Sequence, residues 1–419
     1  MAVVLIGLGS RGDVQPMAVL GGELVRRGVR ARVVALEEYA GLAGRYGAEV
    51  VPVRATLQSA LEGAARHRHL AGTPAGQGWL LRRWVREVSR PFVDATLQAA
   101  GPGDSLLGGV LAAGGAAVAA EALGGRSATV LFTGQLPTSY AESHCFNRWF
   151  RPWDAYNRWG TALSWRVAAA LGDPLVAELR SRVGLPPRQG PTSEALDRHP
   201  ILVAASPTLV PPPPDRPPTV HHTGFLAPPD GEATLPEGLM SFLSSGEPPV
   251  YVGAGSLAPS TGEGGLEFLA EAGRRAGRRI VTIAPSPAHV GAGPGEVYAV
   301  SDVSFEQLFP RTAGVIHHGG AGSAHTGLRS GRPSVAVPFG VDQPYHGGRL
   351  AALGVGPAPV PFGSLGPQRL ARLISDLVDG PEAPRYRDRA REVGATVREE
   401  DGVGRTIEAM ERVGLIGSP

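Results

Sequence analysis

The chain has 419 residues, more than one hydrophobic core usually supports, and its 40 basic side chains against 38 acidic ones leave no strong field for holding nucleic acid. Every basic side chain other than histidine is arginine, so Schiff-base chemistry and a Walker-type phosphate lysine are excluded. The lone Cys145 allows neither an internal disulfide nor a cysteine zinc site, and with no basic leader and no apolar run near the about 20 residues of a membrane span, a cytoplasmic protein is expected.

The first apolar run, Val3 to Ile6, ends in glycines. A helical pattern from Met17 to Arg27 and a second strand from Ala31 to Leu36 complete the opening of a βαβ unit. The glycines read Gly7-Leu8-Gly9-Ser10-Arg11-Gly12, a G-x-G-x-x-G pattern, and Glu37 stands where a dinucleotide fold keeps its ribose-binding acid. An NAD-dependent dehydrogenase is therefore one reading. Pro16 argues against it, because a helix beginning at the second glycine would hold this proline in its interior at a cost of about 3 kcal/mol. As the first helical residue its missing N–H is harmless. Gly9 to Gln15 then reads as a loop from which Asp13 reaches into a cleft.

Strands at Val50–Val53, Ser105–Val110 and Ala128–Phe132 continue the alternation and predict a doubly wound, largely parallel sheet. Between Arg148 and Gly172 the aromatics Trp149, Phe150, Trp153, Tyr156, Trp159 and Trp165 crowd together at roughly helical spacing. They read as core, as a domain contact or as the wall of an acceptor pocket. A membrane-facing helix is the alternative, since arginines outnumber the single acid there. The prolines of 207–218 fix φ and remove donors, so this stretch reads as a semi-rigid linker between residues 1–206 and a second domain, 219–403. In that domain the rhythm restarts with Val250–Val252, a helix near Leu266–Ala276, Ile280–Ile283, Gly314–Ile316 and Ser334–Val337.

The most informative cluster is His317-His318-Gly319-Gly320-Ala321-Gly322-Ser323, directly after a strand. Its glycines let backbone N–H groups approach an anion, Ser323 is suited to cap the following helix, and a histidine beside them can donate to phosphate oxygens. Asp342 and Gln343 fall at the carboxyl end of the next strand, in a loop ahead of a helix opened by Pro344. Together they can accept from and donate to vicinal sugar hydroxyls, unless they merely cap that helix. Tyr251 to Ser256, with Gly255, offers a third small-residue edge.

Three motifs in this order, Gly9-Ser10-Arg11-Gly12-Asp13-Val14-Gln15-Pro16, His317 to Ser323, and Asp342-Gln343-Pro344, make the chain resemble the family 1 nucleotide-sugar glycosyltransferases of the GT-B fold. The resemblance extends notably to the bacterial natural-product, glycopeptide-antibiotic and sterol branches. The resemblance implies an α/β protein of two Rossmann-like domains facing a central cleft, the first binding acceptor and the second donor. It also implies a final helix, about 404–415, packed back on the first domain. His318, Gly320, Ala321, Gly322 and Ser323 would hold the donor diphosphate, Asp342 and Gln343 the sugar, and Ser256 would lie near the phosphates. The backbone of Val303, within Asp302-Val303-Ser304, would pair with a pyrimidine edge. Ser10, Arg11, Gly12, Gly255, Ser304 and His317 would be secondary contacts.

Many members of this family carry Gly-His-x-x-Pro, with the histidine as base and an acid about a hundred residues on. This chain has Gly12-Asp13-Val14-Gln15-Pro16 and no acid after Ser105–Val110, so Asp13 acting alone is expected to be the base, with His144 next in line. The implied reaction is inverting transfer from a UDP- or TDP-sugar to a small lipophilic acceptor, a natural-product aglycone or, alternatively, a sterol or lipid. An inactive GT-B partner protein is the remaining rival. No Asp-x-Asp occurs, so no metal and no cofactor are expected. Peripheral membrane contact is not expected.

Overall fold

The computed structural model describes residues 1–57, 62, 73–229, 234–253 and 263–417. They form two compact units: Met1–Ala227 with Asp401–Pro419, and Pro228–Glu400. No helix among the described residues is long and apolar enough to cross a membrane.

Unit 1 is built on seven strands, β1 (Val3–Gly7), β2 (Ala31–Leu36), β3 (Glu49–Val53), β4 (Ser105–Gly108), β5 (Arg126–Leu131), β6 (Ile201–Val203) and β7 (Val220–His222), in the order β3-β2-β1-β4-β5-β6-β7. All pairings are parallel. Strand β1 is buried along its whole length because both faces of a doubly wound sheet are covered. Val4 and Ile6 pack with Trp84 and Phe92 of α2 (Pro74–Ala99), while Val3 and Leu5 pack with Met17, Leu20 and Leu24 of α1 (Arg11–Arg26). After β5 comes α3 (Asp154–Ala170), anchored by Asn157, Thr161, Trp165 and Ala169.

Unit 2 holds β8 (Val250–Gly253), β9 (Ile280–Ile283), β10 (Ala288–Val290), β11 (Val297–Val300), β12 (Gly314–His317) and β13 (Ser334–Ala336), in the order β10-β11-β9-β8-β12-β13. Only the β10–β11 pair of that sheet is antiparallel. Helix α4 (Ala321–Ser330) follows β12, and α5 (Gln343–Ala352) follows β13. Leu370, Ile374 and Leu377 of α6 (Pro367–Val378) cover Val250, Ile316 and Val335. The last helix, α7 (Gly402–Arg412), belongs to unit 1, where Ile407 and Met410 join its core and Thr406 Oγ1 donates to Thr223 Oγ1 at 2.7 Å.

Two sequence expectations need correction. The proline run at 207–218 is not the linker: β7 follows it and pairs with β6, so the prolines lie inside unit 1 and the chain leaves that unit after Ala227. Helix α1 begins at Arg11 rather than near Met17, with Pro16 inside it. The carbonyl that Pro16 deprives of a partner belongs to Gly12, four residues back, which is exposed and can bond to water. Water can thus replace the lost bond, and packing of the helix on the sheet outweighs what remains of the proline penalty. Val14, Met17, Leu20 and Leu24 hold the helix on the sheet.

Candidate active site

In unit 1 the site begins at the carboxyl end of β1, between strands whose connections diverge to opposite sides, the usual ligand position of such sheets. Ser10 is the N-cap of α1 and Asp13 its third residue, and the two form a capping box. The Ser10 N–H donates to Asp13 Oδ2 at 2.8 Å, and the Gly12 N–H donates to Ser10 Oγ at 3.3 Å. Gly9 makes this possible: its φ is +148°, and a methyl group there would collide with the Asp13 carboxylate.

The argument that Pro16 displaces this loop therefore fails. What separates the site from a dinucleotide fold is charge, since Asp13 places its own carboxylate at the helix N-terminus where a pyrophosphate would have to sit. Nearby, Arg11 Nε donates to Gln15 Oε1 at 2.9 Å and Gln15 Nε2 to the Tyr46 hydroxyl at 3.0 Å. Burial, with smaller contributions from the Glu38 and Asp13 charges, pushes the Tyr39 phenol up to about 12. His144 does not stand ready as a substitute base. It is fully buried between Phe146 and Phe150, its Nδ1 accepts from the Phe146 N–H at 3.1 Å, and burial lowers its pKa to about 4.

In unit 2 the loop between β12 and α4 is shaped by its glycines. Gly319 has φ +89°, and a side chain there would meet the Gln343 carbonyl. Gly320 is the N-cap of α4 and carries no side chain to close the helix end, so the N–H groups of Ala321, Gly322 and Ser323 open the helix without a side-chain cap. Ser323 is the third helical residue, not the N-cap expected from sequence; the extended conformation at Gly320 starts the helix three residues earlier. The His318 ring lies against Gly320, so close that a methyl group on that glycine would displace it. Burial lowers its pKa to about 4, partly opposed by the Asp342 charge, so His318 is neutral near pH 7 and presents a hydrogen bond rather than a charge.

Asp342 is the N-cap residue of α5, yet its side chain makes no capping bond, and its Oδ2 stands 3.8 Å from His346 Nδ1. Gln343 is buried and already the first residue of the helix, and its Oε1 accepts from the Phe339 N–H at 2.8 Å. Its amide nitrogen retains the donor capacity that a sugar hydroxyl would need. Val341, just before them, adopts φ 54°, a left-handed conformation that costs a β-branched residue about 1–2 kcal/mol.

His317, expected as a secondary contact, is instead turned into the core: it is 1% exposed, its Nδ1 accepts from the Gly319 N–H at 3.0 Å, and burial lowers its pKa to about 3. Sequence reading missed His325 and His346. His325 Nδ1 lies 2.7 Å from the Ala321 carbonyl oxygen within the first turns of α4, and His346 Nδ1 lies 2.8 Å from that of Gly319, so α5 ties down the glycine loop. His325 stands four residues after Ala321, the spacing of neighbours on one helix face, whereas no sequence spacing marks the His346 contact with Gly319. Val303 is buried, and Ser304 Oγ donates to Glu306 Oε2 at 3.1 Å. Gly255 and Ser256 lie outside the described residues.

A glycine loop and an uncapped helix end after a parallel strand give unit 2 a group of oriented backbone N–H donors. Residues 267–401 match the family model of the erythromycin biosynthesis protein CIII-like C-terminal domain. The glycosyltransferase GtfC of Amycolatopsis orientalis is 32% identical over 95% of this chain and 94% of its own length. The vancomycin aglycone glucosyltransferase of the same organism is 31% identical over 95% of this chain and 94% of its own. Among solved structures, the glycosyltransferase of kitacinnamycin superposes with a TM-score of 0.69 at 20% identity, covering 98% of each chain. The chain belongs to the family 1 glycosyltransferases of the GT-B fold, and is a glycosyltransferase of the natural-product type.

Proposed function

We propose that the protein transfers a sugar, with inversion and without a metal, from a UDP- or TDP-sugar to a hydroxyl of a small lipophilic acceptor. The observation that carries this reading is the uncapped N-terminus of α4, where three successive N–H groups and the neutral His318 ring gather around Gly320. Such a place favours a diphosphate through oriented donors and the helix dipole. As the acceptor oxygen bonds to the anomeric carbon, the bond from that carbon to the leaving phosphate oxygen breaks and its electron pair stays on the diphosphate. The acceptor proton passes to Asp13. Preorganised donors of this kind commonly contribute a few kcal/mol each to the transition state, replacing the charge a metal would bring. Asp342 and Gln343 hold the sugar hydroxyls.

In the unit 1 capping box the Ser10 N–H at 2.8 Å and the Ser10 hydroxyl at 3.3 Å both donate to Asp13 Oδ2, so the carboxylate that takes the proton is held in a fixed orientation. A carboxylate is a weak base toward an alcohol, so orientation and late proton transfer matter more than a matched pKa. The test is calorimetric titration with UDP, TDP, GDP and NAD in excess EDTA. UDP or TDP should bind and raise the melting temperature. Binding of NAD alone, or of UDP and TDP only after adding a divalent cation, would overturn the proposal.

A further inference from the structure

Helix α3 is apolar on two faces. Its inner face, Asn157, Thr161, Trp165 and Ala169, is buried, with Trp165 Nε1 donating to Asp197 Oδ1 at 2.9 Å. That face packs the helix on unit 1, and the ion pairs of Arg158 with Asp215 and of Arg166 with Glu194 add to the hold. The outer face carries Tyr156, Trp159, Leu163 and Val167 at three- and four-residue spacing, all exposed, and Trp149 and Trp153 stand exposed just before it. Of the twelve large hydrophobic side chains exposed among the described residues, these six fall within one short stretch. Apolar residues scattered singly over a surface need no explanation, whereas a contiguous stripe does.

The charges around the stripe choose among occupants. Residues 148–167 hold four arginines and one acid, Asp154. Arg158 pairs with Asp215 and Arg166 with Glu194, while Arg148 and Arg151 make no ion pair among the described residues. Arg148 lies over the Trp149 ring at 5.2 Å. Near the other end of α3, where Arg82 bonds to the Ala170 carbonyl, Trp79 is exposed with Arg83 5.8 Å from its ring centroid. Tryptophans beside arginines at both ends of an apolar helix face are the chemistry of a lipid headgroup boundary.

A small-molecule occupant fits less well. Trp153 at 65% and Trp159 at 64% are more exposed than the walls of a formed small-molecule pocket, which enclose their ligand. We infer that the outer face of α3 seats unit 1 on an anionic lipid surface, with the stripe at the level of the acyl boundary and Arg148 and Arg151 among the headgroups.

The test is co-sedimentation of the full chain with vesicles of phosphatidylcholine alone and of phosphatidylcholine with phosphatidylglycerol, together with quenching of tryptophan emission by brominated lipid. The anionic vesicles should bind at least tenfold more protein, with quenching. Trp159→Glu and Leu163→Glu should each lower that partition at least fivefold while the melting temperature and UDP binding stay unchanged. Arg148→Glu with Arg151→Glu should abolish the preference for anionic vesicles, which keeps the test decisive even if a stripe variant fails to fold. The inference is overturned if the parent stays in the supernatant with both vesicles, or if the variants bind as the parent does. It is also overturned if light scattering shows a dimer that Leu163→Glu dissociates.

Discussion

Thr138 Oγ1 donates a 2.7 Å hydrogen bond to Oδ1 of Asp215, which sits inside the proline run. The same carboxylate accepts from the Ser139 N–H at 3.0 Å and the Ser139 hydroxyl at 3.1 Å, and pairs with Arg158 of α3. Prolines that read as a linker thus buttress the loop between β5 and α3. Burial alone would raise the Asp215 pKa, but the bonds from Thr138 and Ser139 and the Arg158 charge outweigh it and hold the carboxyl below its ordinary range.

Asp215→Ala should therefore lower the unfolding free energy by about 2–3 kcal/mol, measured by denaturant titration at pH 7. A depressed carboxylate contributes stability that is present above its unfolded pKa and lost as pH falls through the folded one. Asp215→Asn should accordingly differ from the parent at neutral pH, with the gap closing as pH falls below the ordinary carboxylate range. A constant gap through that fall would remove the ionic part of the argument.

Acid should destabilise unit 2 well before its carboxylates titrate. Burial lowers His317 and His325 to about 3 and His318 to about 4, so below the unfolded histidine pKa the unfolded chain binds protons that the folded chain refuses. Stability present above about pH 6.5 is lost as pH falls towards these values, about 1.4 kcal/mol per histidine by pH 5.5. The denaturation midpoint of unit 2, followed by hydrogen exchange between pH 7.5 and 5.5, should fall accordingly. An unchanged midpoint would show that these rings protonate in place.

His318 and His346 should separate as contact and support. His318→Ala should weaken UDP binding about tenfold, the scale of one lost hydrogen bond to a charged group. It should also abolish the tightening on acidification that follows when a bound diphosphate lets the imidazole take up a proton. His346→Ala removes the 2.8 Å tie to Gly319 and should weaken binding too, but leave that pH dependence intact. Calorimetry at pH 7.5 and 5.5 distinguishes the two. Equal pH profiles for both variants would refute the division of roles.

The succession of strands and the glycine loop after β12 were legible because short continuous apolar runs and strand-to-glycine junctions are local signals. Pro16 and the prolines of 207–218 misled for a common reason. Local propensity was read where tertiary context decides: packing of α1 on the sheet outweighs the one, and strand β7 returns the other to the sheet. Likewise the start of α4 is set by the Gly320 backbone, which a preference for serine caps does not anticipate. His346 and Asp215 act on segments distant in sequence, and no periodicity records such contacts.

The central claim rests on Asp13, which both caps α1 and is proposed to take the acceptor proton. Asparagine keeps a side-chain oxygen for the Ser10 N–H and so preserves the cap while removing the base. The deciding measurement is the single-turnover transfer rate of Asp13→Asn, with a phenolic and an aliphatic acceptor that the parent glycosylates. The rate should fall at least about a hundredfold with the aliphatic alcohol and less with the more acidic phenol, while UDP affinity and melting temperature stay near those of the parent. Parental rates with both acceptors would contradict the account and leave Asp13 as a helix cap alone.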